Sequence, residues 1–262
     1  MSTVSVMGFD QELLTAGRLT ATITGPRLDI TLNRPDIHNA QLPATWEALA
    51  HIGSQLDESV RVVVVGGSGP SFSAGLDRSA FAPDAALGTV AAAPATVADG
   101  IIAGYQAGFS WLSDPRFLSI AAVHGHAIGA GFQLALACDL VIAADDARFC
   151  MAEVTLGLVP DLTGSGRLVR AVGRQRALEL CATGRRMSAA EAAATGLVLQ
   201  VVPVPELART VDDLVAAVLA NDPDAVRAVC RLIGAAEDAD PEQQQAAERA
   251  EQLGRLRALA AR

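Results

Sequence analysis

The run Val62 to Val65 is apolar at every position and empties into Gly66-Gly67-Ser68-Gly69-Pro70. A strand with no polar alternation buries both of its faces, which is the habit of parallel strands in α/β proteins. The same unit recurs downstream. Ser119 to Val123 reads as a strand, Gly125 to Gly131 as a loop carrying Gly125-x-x-x-Gly129-x-Gly131, Phe132 to Cys138 as a helix, and Asp139 to Ala143 as strand again. No residue-level repeat of fixed period accompanies this recurrence of strand, glycine loop and helix, and an α/β architecture with buried strands is expected. At 262 residues the chain suits one large domain or a core with a small appendage.

The remaining pattern supports that reading. Leu19 to Thr24 and Leu28 to Leu32 alternate around Gly25-Pro26 and predict an antiparallel pair. Trp46, Leu49, Ile52 and Leu56 lie at helical spacing within Ala44 to Leu56. Arg78 to Pro94, rich in alanine and proline without clear periodicity, reads as a loop that could equally line a pocket or merely connect, followed by a helix near Val97 to Leu112. Ser188-Ala189-Ala190-Glu191 has capping-box spacing, Gly196 reads as a left-handed helix stop, and Val198 to Val202 is one more strand. Beyond Pro203 and Pro205 the chain reads as wholly helical, with Leu253, Leu256 and Leu259 spaced three apart. This divides it into a core over 1–205 and a helical region over 206–262.

Composition excludes several classes of function. The 20 basic residues against 29 acidic ones give a net charge of −9, and every one of the 20 is arginine. With no lysine, Schiff-base and Walker-lysine chemistry are impossible. An acidic chain with scattered arginines offers no footprint for nucleic acid, whose binding rests on clustered cations. Hydrophobic residues at 51% and a mean hydropathy of +0.32 exclude a disordered or disulfide-stapled chain. Cys138, Cys150, Cys181 and Cys230 are widely spaced and read as small buried hydrophobes of a reducing compartment. The first eleven residues lack the pattern of a secretory signal, and a cytoplasmic protein is expected. Phe117 to Cys138 runs 22 residues without Asp, Glu, Lys or Arg, but His124, His126, Gln133 and its glycines break any single membrane-spanning helix.

Familiar catalytic signatures fail. Gly66 to Pro70 misses the nucleophile elbow at its last position, and no G-x-G-x-x-G follows a strand. His124 and His126, placed on one strand, would share a face, yet no third metal ligand is evident. What remains is a pair of loops, each after a buried strand: Ser73-Ala74-Gly75-Leu76-Asp77 and Ile128-Gly129-Ala130-Gly131-Phe132. The second opens a helix, whose first amides lack internal partners and favour anions. Were both loops to aim an N–H at one point, they would form a two-donor oxyanion hole. Tight strand-to-helix packing is the plainer alternative.

These stretches, with Asn33-Arg34-Pro35 and Asn39-Ala40, Phe72 to Asp77, Ala122-Val123-His124-Gly125 through Cys138-Asp139-Leu140, Ala152-Glu153 to Pro160, and Ser188-Ala189 with Gly196-Leu197-Val198, follow one order and spacing over roughly residues 19 to 205. In this the chain resembles the crotonase, or enoyl-CoA hydratase/isomerase, superfamily. The resemblance implies an α/β fold, a crotonase-type spiral of ββα units, with a helical carboxy-terminal region that packs trimers, often as a dimer of trimers. It also implies an acyl-CoA thioester as ligand, coenzyme A being part of the substrate with no separate cofactor. By the same resemblance, the backbone N–H groups of Ala74 and Ala130 would hold the thioester oxygen, and Ala74, Gly75, Leu76 and Asp77 would border coenzyme A. With no lysine in the chain, Arg34 and Arg78 are candidates by position to meet the phosphates of coenzyme A, a solvated surface arginine being the plainer alternative.

The resemblance further implies Glu153 as the acid/base. The position twenty residues earlier, where many hydratases carry a second glutamate, is Gln133. A glutamine orients a water or substrate but accepts no proton, so one-base double-bond isomerisation is favoured over two-carboxylate hydration. Asp161, eight residues beyond Glu153, stands where dienoyl-CoA isomerases place a second carboxylate, and a loop-capping role serves it equally. The contrasting expectation is an acyl-CoA-binding protein that keeps the pocket without the proton transfer.

Overall fold

The computed structural model describes residues 8–82 and 85–261. Helix α1 (Gln11–Ala16) leads into the hairpin β1 (Leu19–Thr24) and β2 (Arg27–Leu32), followed by α2 (Pro43–Gln55) and β3 (Val62–Gly67). Helices α3 (Ala86–Ala92) and α4 (Ala95–Ser110) precede β4 (Leu118–Val123), β5 (His126–Ile128), α5 (Ala130–Ala137), β6 (Leu140–Ala144) and β7 (Arg148–Cys150). Next come α6 (Gly164–Thr183), β8 (Met187–Ser188), α7 (Ala189–Ala194) and β9 (Gln200–Val202). The chain then continues as α8 (Leu207–Leu219), α9 (Pro223–Ala236) and α10 (Pro241–Ala260).

The strands form two sheets, one of six in the order β1-β2-β3-β4-β6-β9 and one of three in the order β5-β7-β8. Only the β1–β2 edge of the larger sheet is antiparallel; β2 through β9 run parallel. Burial explains the unbroken valines of β3. Val63 and Val65 pack into the main core with Leu49, Phe72, Ala121 and Val123, while Val62 and Val64 face Ile120, Ile142 and the α8 residues Leu207, Val211 and Val215. Both faces are covered, as the apolar run requires.

Three readings need correction. The segment expected as a loop over 78–94 holds a 3-10 turn (Arg78–Phe81) and α3; residues 83 and 84 lie outside the described residues. Alanine has the highest helix propensity, so a helix forms there without an apolar stripe to announce it. The glycine loop after β4 contains β5, which pairs with β7 in the smaller sheet. That break also separates the two histidines: β4 ends at Val123, Gly125 turns the chain at φ 56°, and His126 begins β5, so they do not share one strand. Among the described residues, no single helix is long and apolar enough to cross a membrane.

Candidate active site

Loop 73–77 is held on one side by the segment after β2. Asn39 is buried at φ 55° and ties three backbone groups together: its Oδ1 accepts from the Arg34 amide at 2.8 Å, and its Nδ2 donates to the carbonyls of Ser68 and Ser71 at 2.8 and 2.7 Å. Ser73 is buried with it; its Oγ donates to the Asn39 carbonyl at 2.8 Å and accepts from Gln41 Nε2 at 3.0 Å. Gln41 in turn accepts from the indole N–H of Trp46 at 2.7 Å. A buried polar network of this kind fixes a loop because each member would be costly to leave unpaired.

The consequence is a correction. The Ala74 N–H donates to the His38 carbonyl at 2.7 Å, so it is not available to a thioester oxygen. Two residues on, the pattern reverses. Gln41 N donates to the Gly75 carbonyl at 2.7 Å and Asp77 N donates to the Gln41 carbonyl at 2.8 Å, forming a parallel bridge between Gln41 and Leu76. In such a bridge the amide of the central residue, Leu76, points away from its partner. Leu76 N–H has no acceptor among the described residues, and neither has Ala130 N–H, the first of α5. Gly75 lies between the two loops: a Cβ added there would sit 2.5 Å from the Ile128 carbonyl oxygen and 3.5 Å from the Ala130 nitrogen. The loops therefore meet, and the paired open amides are those of Leu76 and Ala130.

Of the expected phosphate-facing arginines, Arg34 forms an ion pair with Asp77. The Asp77 carboxyl is held below the usual carboxylate range, first by the Ser79 backbone N–H and further by Arg34. Arg78 is exposed and makes no ion pair among the described residues.

Parallel pairing of β5 with β7 aligns Ile128 with Cys150, and Gly129 N donates to the Cys150 carbonyl at 2.8 Å. That register delivers Glu153, first residue of a 3-10 turn ending at Leu156, to the amino end of α5. Glu153 is only 8% exposed. Its Oε1 accepts from Gln133 Nε2 at 2.7 Å, while its Oε2 is buried with no partner among the described residues. Burial pushes its pKa above the usual value; the hydrogen bond from Gln133 opposes that push and the Asp161 carboxylate adds to it. Asp161 is brought near, with its own pKa raised by surrounding protein although the residue is exposed. The Asp161 carbonyl accepts from Gln106 Nε2 of α4 at 2.8 Å.

Gln133, expected to orient a water or substrate, has a protein partner at each end of its amide. Beside the bond to Glu153, its Oε1 accepts from the amides of Leu162 and Gly164 at 2.9 and 3.2 Å. The Leu76, Leu162 and Gly164 amides carry no mark in the sequence, since a backbone donor has no side chain to advertise it.

The site thus combines a buried, partly unsatisfied carboxyl with two open main-chain amides at a loop junction. A profile described as Enoyl-CoA hydratase/isomerase matches residues 27–258. A probable enoyl-CoA hydratase of Mycobacterium tuberculosis is 39% identical over 180 residues, covering 68% of this chain and 66% of that protein, just under two thirds of its length. A carnitinyl-CoA dehydratase of Salmonella arizonae is 37% identical over 232 residues, covering 86% of this chain and 83% of its own. Among solved structures, a Thermobifida fusca YX chain described as a "putative enoyl-CoA hydratase", in complex with CoA, superimposes with a TM-score of 0.92 at 48% identity, covering 98% of this chain and 100% of that one. The acetoacetyl-CoA complex from the same organism gives 0.91 at 47%, covering 95% of this chain and 99% of that one.

Proposed function

The chain belongs to the enoyl-CoA hydratase/isomerase, or crotonase, family, and on that premise we propose that it is an acyl-CoA enzyme that moves a proton on an enolisable thioester with Glu153 as its base. The observation that carries this reading is the unpartnered, buried Oε2 of Glu153 beside the loop junction. The thioester oxygen would accept from the N–H groups of Leu76 and Ala130, each such donor contributing roughly 2.7–4 kcal/mol where negative charge develops on oxygen. The relatives bound to CoA and acetoacetyl-CoA support the ligand class.

Double-bond isomerisation is the reaction that these side chains favour. Glu153 Oε2 takes a proton from C2 of a 3-enoyl thioester, and the C–H electron pair delocalises into a dienolate whose oxygen the two amides hold. The same carboxyl returns the proton at C4, and the double bond moves from C3–C4 to C2–C3. Only one base is needed, and Glu153 is raised by burial toward the pH at which such a group both takes and returns a proton. Asp161 is a candidate second carboxylate at the same site. Of the two arginines expected to meet a CoA phosphate, Arg78 is the one with no ion pair among the described residues. Self-association through the helical carboxy-terminal region, as a trimer or dimer of trimers, accords with the exposed apolar side chains Val229, Ile233, Leu253, Leu256 and Leu259.

A panel of 2-enoyl, 3-enoyl and dienoyl thioesters incubated in heavy water, read by mass spectrometry and product retention, tests the proposal. Deuterium uptake with a shifted double bond is the expected outcome. Addition of water as the dominant product would replace isomerisation by hydration, and tight binding without turnover would leave an acyl-CoA-binding protein.

A further inference from the structure

Gln133 is locked from behind. Thr163 adopts φ 68°, a left-handed conformation that a β-branched residue rarely takes, and its Oγ1 is buried without a partner among the described residues. What this backbone provides is convergence: the amides on either side, Leu162 and Gly164, both donate to Gln133 Oε1. Amides that flank a left-handed residue in this way at the start of a helix, here α6, form a cradle that favours an oxygen with negative charge. Gly164 fits there because a Cβ would lie 2.6 Å from Gln133 Cγ and 2.9 Å from its Oε1. With the carbonyl end of the amide seated against two donors, the NH2 end has one direction left, toward Glu153 Oε1 at 2.7 Å.

We propose that Gln133 is the positioning residue that makes Glu153 a single-base catalyst: it occupies Oε1, leaves Oε2 as the one oxygen able to exchange a proton, and fills with a neutral amide the cradle in which a carboxylate would supply the second base for water addition. The inference rests on the reading of Glu153 as the base. It assigns to this chain's glutamine a task different from orienting water: its carbonyl is taken by two backbone amides and one N–H is held by Glu153.

Two consequences separate this from a purely structural role. The other titratable groups that face Glu153 are Asp161 from the loop before α6, the Cys150 thiol of β7 and the Cys181 thiol of α6. None of them donates a hydrogen bond to Glu153, so the favour shown to its charged form depends on Gln133 and on the local backbone. Removing the donor with Gln133→Met therefore moves the Glu153 titration upward by about one pH unit. Gln133→Glu keeps an oxygen in the cradle and sets a second carboxyl against Glu153. Water then adds across C2=C3 of a 2-enoyl thioester, one carboxylate taking the water proton as oxygen bonds to C3 and the other carboxyl delivering a proton to C2.

The test uses the 262-residue chain and its Gln133→Met, Gln133→Glu and Glu153→Gln variants, with folding checked by circular dichroism. The Glu153 carboxyl is titrated by isotope-edited infrared difference spectroscopy against Glu153→Gln, a readout independent of turnover, and products are followed with 2-enoyl and 3-enoyl thioesters. The expected result is an upward shift of the Glu153 midpoint in folded Gln133→Met, with the acid limb of kcat following it and KM within about twofold. Gln133→Glu is expected to gain hydration by about 100-fold over the unmodified chain. An unmoved midpoint in folded Gln133→Met, or no gain in water addition by Gln133→Glu, overturns the positioning role. A shifted midpoint together with thioester turnover that survives Glu153→Gln leaves the positioning intact and overturns the reading of Glu153 as base.

Discussion

Asn39 and Glu153 show how far a single side chain reaches in this molecule. Asn39 satisfies three partly or fully buried backbone groups from one left-handed position, a conformation that asparagine tolerates better than most residues. Asn39→Ala orphans them, and urea unfolding should show a loss of about 3 kcal/mol. Glu153 acts in the opposite direction. Its carboxyl pKa is raised on folding, so the folded chain holds this proton over a range in which the unfolded chain has released it, and stability falls as pH rises from the ordinary glutamate range through the raised value. Glu153→Gln removes the charged form and keeps an acceptor for Gln133 Nε2. Thermal unfolding should therefore show a stabilised variant at pH 7, with little difference at pH 4. Glu153, Gln133 and Ala130 were reached in the sequence through the family resemblance, and the fold brings Glu153 against Gln133 at the amino end of α5. The open amide at Leu76 was not reached, because the choice between Ala74 and Leu76 depends on which edge of loop 73–77 pairs with residues 38–41, and both stand next to Gly75.

At the scale of elements, apolar pattern and caps were informative where burial or a turn enforces them. β1 with β2, β3, β4, α5 and β6 fall where alternation or unbroken apolar runs place them, within a residue or two. The start of α7 is half as expected: Ser188 Oγ accepts from the Glu191 amide at 3.2 Å, but the Glu191 carboxylate turns outward to pair with Arg185 and Arg176 instead of returning to the Ser188 backbone. Ser188→Ala should cost about 1 kcal/mol, measured by denaturant unfolding, as the loss of a cap without the rest of the box. Elements that pack little were hidden. None of the seven residues of α3 is buried, and β5 is three residues long within a glycine-rich loop, so neither imposes a period on the sequence.

Across the whole molecule, the two sheets divide the work. The six-stranded sheet supplies the core, and the three-stranded one sets the register between Ile128 and Cys150 that carries Ala130 and Glu153 to the same place. The apolar positions of α9 and α10 remain largely uncovered, Ile233 at 67% exposure and Leu256 at 52%. On the proposal that the chain self-associates, these exposed apolar side chains on adjoining helices are the surface it would use. Sedimentation equilibrium should find a trimer or a multiple of it, and Ile233→Asp with Leu256→Asp should shift the population toward monomer; a monomeric parent chain would refute the surface. The central claim, that Glu153 removes a proton next to a thioester carbonyl held by two amides, is tested most directly with a saturated acyl-CoA in heavy water, where no double bond or water addition complicates the result. The account predicts that the unmodified protein exchanges C2 hydrogen for deuterium and that Glu153→Gln lowers the exchange rate by about 100-fold or more. Exchange at an undiminished rate in Glu153→Gln would contradict it.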